Sequence, residues 1–190
     1  MFLINDRKRK VISTKSLGVL PTPLDMFSHA LTINGNSGHD FTFVQRFEVA
    51  AFNLPLDNNI QQVRFTLQAS TNGPWTINEA YVGHAAGSGD AYDFDTTPVT
   101  ITFAGSGSVT IPTGGTVVTD WAAFAYNKTS ALLFSLYLPI SPDSSTKSES
   151  GVSNVNFYSK AGNSAATINK SGYTLSANTL IISKVETDVD

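Results

Sequence analysis

Short runs in which apolar and polar residues alternate recur along most of this chain, and they constrain its fold more than any other feature. From Phe41 to Val49, every second residue starting with Phe41 falls on one face, and three of these residues are phenylalanines. Val63–Gln68 repeats the alternation, with its polar residues directed outward. A strand of this kind buries one face against a second layer and exposes the other face to solvent.

Further strand-length runs follow at intervals of about a dozen residues, separated by clusters of Gly, Pro, Asn and Ser. No long amphipathic helix pattern interrupts them. The sequence therefore predicts an all-β fold, an antiparallel β-sandwich that is jelly-roll-like. The longest predicted connections are 83–98 and 139–151, and long loops on a rigid sandwich commonly carry recognition. The other predicted strands are Trp75–Val82, Val99–Phe103, Ser108–Ile111, Val117–Phe124, Ala131–Leu138, Val152–Tyr158 and Thr179–Val185.

Residues 1–27 differ from the rest, and we predict an extended N-terminal arm here, followed by a β-sandwich domain at 28–190. Residues 1–16 carry five basic residues against one acidic residue, a balance of +4 that leaves −7 on the remaining chain of net charge −3. The second half of the arm is apolar, and its two prolines block a helix. The candidate assembly residues of the arm are Arg7, Lys8, Arg9, Lys10, Leu17, Leu20, Leu24 and Phe27.

Two interpretations of the arm remain open. An extended apolar segment can add to the exposed sheet edge of a neighbour, while the basic run meets an acidic surface such as another copy of the chain. The alternative is a frayed, solvated terminus. Binding of Arg7–Lys10 to nucleic acid is not expected, because useful affinity for phosphates needs more charges or interleaved aromatic residues.

Composition bears on where the chain works. Cysteine is absent and only 14% of residues are charged, so the surface is expected to be neutral and rich in hydroxyls. The segment Met1–Asp6 becomes charged at once, and the basic run follows the apolar residues, which is not the order of a secretory signal. No run approaches the roughly 18 apolar residues of a membrane span. We expect synthesis in a reducing cytoplasm and no membrane partner.

One stretch of the chain resembles a known family. Val63–Ile77, Pro98–Gly105 and Ser108–Gly115, followed by Val117–Asp120 and Leu133–Pro139, are similar to the strands and turns of the β-sandwich that precedes the catalytic domain in many bacterial GDSL (SGNH) esterases. The resemblance covers roughly residues 60–140. The resemblance implies a lectin-like sandwich. Glycan binding follows only from the likeness of the fold and not from any matched binding residue. The sequence contains no Gly-Asp-Ser-Leu block, so the resemblance does not extend to the hydrolase.

Catalysis is not expected. The histidines His29, His39 and His84 do not accompany a nucleophile elbow, and the sequence predicts no Ser/His/Asp triad. Acidic residues concentrate at Asp90, Asp93 and Asp95, where loop carboxylates could hold Ca²⁺. The alternative is that these side chains cap their own turns. No cofactor is predicted apart from this candidate calcium site.

Sugar recognition uses flat aromatic rings beside polar groups. Tyr92 lies between Asp90 and Asp93 in a long polar loop, and Trp75 follows a turn, so these four residues are the candidate glycan contacts. Core packing is the alternative explanation of both rings.

Three functions follow from the sequence. The first is a non-catalytic structural protein, anchored by its arm on the surface of a bacteriophage virion as a capsid decoration or tail component. Its expected partners are other virion proteins, copies of itself in a homo-oligomer, and a host glycan. The second is a carbohydrate-binding module related to the esterase-associated sandwich. The third, an enzyme with an unrecognised site, has no residue in its favour.

Overall fold

The computed structural model of this chain describes residues 23–35, 39–53, 59–140 and 144–189. These residues form antiparallel strands and a single 3₁₀ turn at Val49–Ala51, and none of the described segments is an α-helix. The strands are β1 Leu24–Ser28, β2 Ile33–Asn34, β3 Phe41–Phe47, β4 Ile60–Gln68, β5 Trp75–Ile77, β6 Glu79–His84, β7 Val99–Ile101, β8 Val109–Ile111, β9 Thr116–Val118, β10 Ala122–Ala123, β11 Leu132–Leu138, β12 Lys147–Ser150, β13 Val155–Ala161, β14 Thr174–Ala177, β15 Thr179–Leu180 and β16 Ile182–Val189.

Two larger sheets form the two layers. One has the order β1–β16–β4, with β10 and β9 both pairing with β4. The other has the order β14–β13–β3–β11–β6–β7. Two smaller sheets, β15–β12–β2 and β5–β8, complete the molecule. The predicted all-β antiparallel sandwich is confirmed, whereas its jelly-roll connectivity stays a prediction. Within the described segments, no helix is long and apolar enough to cross a membrane.

The main core lies between the two larger sheets. Phe65 of β4 and Phe134 of β11 meet across it, with ring centroids 4.5 Å apart. Val63, Phe65 and Leu67 are fully buried, while the polar residues between them are partly exposed, as their alternation predicts. Burial of each such side chain contributes about 1.5–3 kcal/mol to the stability of the fold.

Gln45 is a polar residue on the core face of β3. Its amide nitrogen donates to the carbonyl oxygens of Asn156 at 3.0 Å and Thr179 at 3.1 Å. Its amide oxygen accepts the backbone N–H of Ile181 at 2.8 Å. The fully buried side chain therefore ties the six-stranded sheet to the backbone that connects β15 with β16. Such a residue is tolerated in a core because its hydrogen bonds are satisfied.

β1 corrects the predicted boundary between arm and sandwich. Leu24–Ser28 pairs with β16 and forms an edge of the five-stranded sheet, so the sandwich does not begin at residue 28. Met26 is fully buried, and the ring of Phe27 packs against Phe47 with centroids 5.2 Å apart. Leu24 and Phe27 thus belong to the sandwich rather than to a separate arm. The other arm candidates, from Arg7 to Leu20, lie outside the described residues.

Candidate functional site

The loop 85–98 is exposed at 87–91 and 95–97, whereas Tyr92, Asp93 and Phe94 between these stretches are buried. It folds over the outer face of the six-stranded sheet and covers a second apolar cluster there. The neighbouring loop 162–173 is joined to it, since the N–H of Phe94 donates to the carbonyl of Ile168 at 3.0 Å. The sheet is therefore buried on both faces in this region. The cluster consists of Val44, Ala85, Tyr92, Phe94, Ala131, Leu133 and Tyr158.

Tyr92 belongs to this cluster. Its ring packs against Tyr158 at 5.2 Å and Tyr173 at 4.6 Å between centroids, and only 9% of the residue is exposed. Its hydroxyl donates to a carboxylate oxygen of Asp90 at 3.0 Å. Burial, and then this hydrogen bond, raise the pKa of Tyr92. Neither face of the ring is free to stack on a sugar, so core packing explains this residue.

Trp75 is also a core residue. It lies on β5, pairs with Ile111 of β8 and is fully buried. Its indole N–H has no hydrogen-bond partner among the described residues. A sugar could reach this ring only if the core opened, so Trp75 gives no support to glycan binding.

The three carboxylates of the loop have separate roles. Asp93 is buried and accepts the backbone N–H groups of Asp90 at 2.9 Å and Lys170 at 2.6 Å, which fixes the loop. Asp95 is exposed and lies 3.8 Å from the Nδ1 atom of His84. No group of three or more His, Cys, Asp or Glu side chains suited to a metal ion occurs in the described part of the chain. The hydrogen bonds of Asp93 instead match the turn-capping alternative.

His84 is the histidine with the most defined surroundings. Its ring lies 4.6 Å from Phe124 and 5.6 Å from Tyr126 between centroids. Its Nε2 atom accepts the backbone N–H of Asn127 at 2.8 Å. Burial lowers the pKa of His84, and Asp95 only partly opposes this effect. Because the Nε2 lone pair is already occupied, this imidazole is poorly placed to act as a general base.

Lys170 was not singled out from the sequence. It is 4% exposed, its amine donates to the carbonyl of Thr167 at 2.6 Å, and the nitrogen lies 3.6 Å from the centroid of the Phe94 ring. Burial lowers the pKa of this lysine to about 7. A lysine in a segment rich in Ser, Asn and Thr gives no sequence signal of burial. The burial of Lys170 depends on how the loops 85–98 and 162–173 pack together.

An open cleft of about 510 Å³ lies beside the same loop. Its walls are small residues and backbone from 85–87, 129–131 and 49–50, with Arg46 and Glu48 at one side. Arg46 Nε donates to Glu48 at 2.5 Å and Arg46 Nη1 donates to the carbonyl of Ala91 at 2.8 Å. This pair is not among the sequence-predicted site residues, although side chains two residues apart along an extended chain share a face.

A charged row crosses the outer face of the five-stranded sheet. Arg64 Nε donates to Glu186 at 2.9 Å, and its guanidinium lies 4.4 Å from the centroid of the Trp121 ring. Lys184 contacts Glu186 at 3.0 Å and Asp25 of β1 at 2.8 Å. These cations outweigh burial and lower the pKa of Glu186. The row links β1, β16 and β4, and it ties the edge strand to the sheet.

No protein-family model matches this chain, and no curated protein matches it. The resemblance to the esterase-associated sandwich therefore stays a prediction.

Proposed function

We propose that this chain is a non-catalytic structural protein displayed on a large particle, a bacteriophage virion, where it serves as a capsid decoration or tail component. The segment that precedes β1 joins it to its neighbours, which include other copies of the chain. The sandwich is the displayed body.

The way in which β1 is held is the observation that supports this proposal most. Met26 is buried between the sheets, Phe27 packs on Phe47, and Asp25 pairs with Lys184 at 2.8 Å. A tether that continues into β1 would pull on this strand along its own axis. The backbone hydrogen bonds between β1 and β16 would then share the pulling force. A linker attached to a surface loop would lack this support.

Charge supports the same function. The described residues carry eleven acidic and seven basic side chains, whereas the segment before them contains the basic run Arg7–Lys10. Opposite charges on the tether and on the body favour contact between copies and speed their association.

Salt and charge removal test this proposal. We expect the full chain to self-associate in sedimentation velocity, and we expect association to weaken as sodium chloride is raised, because salt screens exposed charges. Replacing Arg7, Lys8, Arg9 and Lys10 with Ser should weaken it further. The control replaces Lys128, Lys147 and Lys160 of the body with Ser, which makes the body more acidic, so it should associate at least as strongly as the wild type. A wild-type chain that stays monomeric, or an arm variant that associates normally, would overturn the proposal.

The cleft beside Arg46 supports a second candidate, carbohydrate binding. An Arg–Glu pair presents donors and acceptors side by side with no net charge, which suits the hydroxyl pairs of a neutral sugar. The test is a glycan array with the wild type and Glu48→Gln, with Tyr92→Phe as a core control that keeps the ring. Binding lost in Glu48→Gln and kept in Tyr92→Phe supports the cleft. Absence of any bound sugar would refute this function.

A further inference from the structure

β14 is a short, uncharged edge strand of the six-stranded sheet, and no other described strand pairs with its outer side. It pairs with β13 from Asn156–Ala177 to Ser159–Thr174, and it is the last strand of that sheet. All four of its residues are exposed, and Leu175 is 52% exposed. Natural edge strands are usually blunted by charges, prolines or bulges. The stretch 171–183 contains no charged residue and no proline, so β14 has neither of the first two protections.

A small pocket opens beside this edge. It has a volume of about 190 Å³, with apolar walls from Phe43, Phe157 and Ile181 and polar walls that include Ser176 of β14 and residues 146, 148 and 179. An apolar cavity of about 150 Å³ holds a molecule of the size of benzene. The pocket is therefore large enough for one aliphatic side chain. A free edge next to a side-chain pocket is the arrangement that proteins use to bind an added strand.

We propose that β14 and this pocket bind Ser16–Leu20 from a second copy of the chain. This inference rests on the proposed assembly function and names the surface that receives the tether. Ser16–Leu20 is uncharged, and its alternate residues Leu17 and Val19 are apolar. Backbone hydrogen bonds to β14 supply affinity, and one of these apolar side chains fills the pocket.

The sequence around Ser16–Leu20 favours a second copy over the same molecule. Pro21 and Pro23 separate it from β1, and both prolines favour extended backbone on either side. The three residues between Leu20 and Leu24 span at most about 14 Å, and β1 belongs to the opposite sheet from β14. Because both prolines favour extended backbone and disfavour a turn back toward the same molecule, we assign Ser16–Leu20 to β14 of a neighbouring copy.

Cross-linking tests the contact directly, because the natural chain contains no cysteine. Two differently tagged full-length chains are mixed, one with Val19→Cys and the other with Leu175→Cys, and treated with a short bismaleimide. We expect a product that contains both tags. The matched control replaces Leu175→Cys with Thr100→Cys, an exposed residue of β7 at the opposite edge of the same sheet. Equal yields with Leu175→Cys and Thr100→Cys would overturn the proposal.

Other occupants of the edge give different products. If only two Leu175→Cys chains join, β14 pairs with β14 of another copy and the tether is not the occupant. If a chain carrying both cysteines is linked only within itself, the segment binds its own molecule. Either result refutes the proposal.

Self-association separates this inference from the proposed function. Leu175→Lys places a charge on the edge without disturbing a buried residue, and it should raise the dissociation constant of self-association about tenfold. Thr100→Lys should leave it unchanged. If the Arg7–Lys10 variant loses association while Leu175→Lys keeps it, the tether function stands and β14 is not its receptor. If Arg7–Lys10 can be replaced without effect, the function itself fails.

Discussion

The amine of Lys170 is buried where the loops 85–98 and 162–173 pack together. The free energy of unfolding therefore depends on whether this amine is protonated. The amine retains one carbonyl acceptor and the face of Phe94, but it loses most of its hydration. In the unfolded chain a lysine titrates near 10.4, whereas burial lowers the pKa of Lys170 to about 7 in the folded state. Between these values the unfolded chain binds more protons than the folded one.

We expect the free energy of unfolding to rise with pH between about 7.5 and 9.5, with a slope of up to about 1.4 kcal/mol per pH unit from this residue. Lys170→Met should remove that rise, because it eliminates the titration and keeps the apolar stem. Urea denaturation at several pH values measures the effect. Lys147→Met, on the partly exposed strand β12, is the control and should keep the rise. An unchanged slope in Lys170→Met would show that the amine is not buried as described.

Gln45 makes a second residue-scale prediction. Gln45→Leu keeps the volume but removes the acceptor of the buried Ile181 N–H and the donor to the carbonyls of Asn156 and Thr179. An unsatisfied buried group costs about 1–3 kcal/mol, so we expect destabilisation of about 3 kcal/mol in chemical denaturation. The exposed residue Gln61 provides the control, and Gln61→Leu should change stability by less than about 0.5 kcal/mol. A loss of the same size in both variants would contradict this account.

At the scale of elements, the attachment of β1 depends on burial more than on charge. Asp25 is half exposed, and surface ion pairs contribute about 0–1 kcal/mol. Met26 is fully buried, and truncation of such a side chain costs about 2–5 kcal/mol. The apolar contact therefore decides whether the tether stays connected to the sheet.

We accordingly expect Met26→Ala to increase hydrogen exchange throughout β1 and to lower global stability by about 2–5 kcal/mol. Asp25→Asn should change both by less than about 1 kcal/mol. Mass-spectrometric hydrogen exchange and urea denaturation on the two variants measure the difference. Equal effects of the two substitutions would mean that the ion pair matters as much as the buried side chain.

Sequence periodicity predicted the strands that bury one face. It gave wrong bounds for one pair of strands and did not detect β14. β4 alternates and was predicted. Trp75–Val82 was predicted as one strand, but it is split at Asn78 because β5 pairs with β8 whereas β6 pairs with β11 and β7. β14 alternates polar and apolar residues over only four positions, all of them exposed, and so short a run does not indicate a strand.

The candidate site was harder to predict than the strands. Tyr92 and Trp75 were candidates because an aromatic residue near a turn has the same sequence appearance whether it is exposed or buried. Their burial depends on how 85–98 and 162–173 fold over the sheet, and this is long-range information. Arg46 and Glu48 could have been paired from their spacing, but the cleft beside them is formed by three separate segments.

For the whole molecule, three ionisable groups with shifted pKa values, His84, Lys170 and Tyr81, shape the pH dependence of stability. Burial lowers the pKa of His84, so its contribution is complete above about 6.5 and is lost as pH falls through the folded value. Lys170 adds stability up to about pH 10. Burial and the contact with Glu79 raise the pKa of Tyr81 to about 12, whereas an unfolded tyrosine ionises near 10, so stability falls above that pH.

We therefore expect the midpoint of thermal unfolding to be highest near pH 9–10 and to fall on both sides. Differential scanning calorimetry from pH 5 to 11 measures this profile. His84→Gln keeps an acceptor for Asn127 and should flatten the profile between pH 5 and 6.5. A maximum near neutral pH would contradict the described burial of Lys170.

The pairing of β1 with β16 also determines how this domain can be combined with other chains. Leu24, at the start of β1, lies opposite Thr187, near the end of β16, so the two strands leave the sandwich in the same direction and side by side. A domain with neighbouring entry and exit points can be inserted into a surface loop of a host protein without forcing the loop apart. The same geometry permits circular permutation, with a short linker that joins the two strands and new ends in a distant turn. The covalent connections through β1 and β16 thus leave the sandwich at one end.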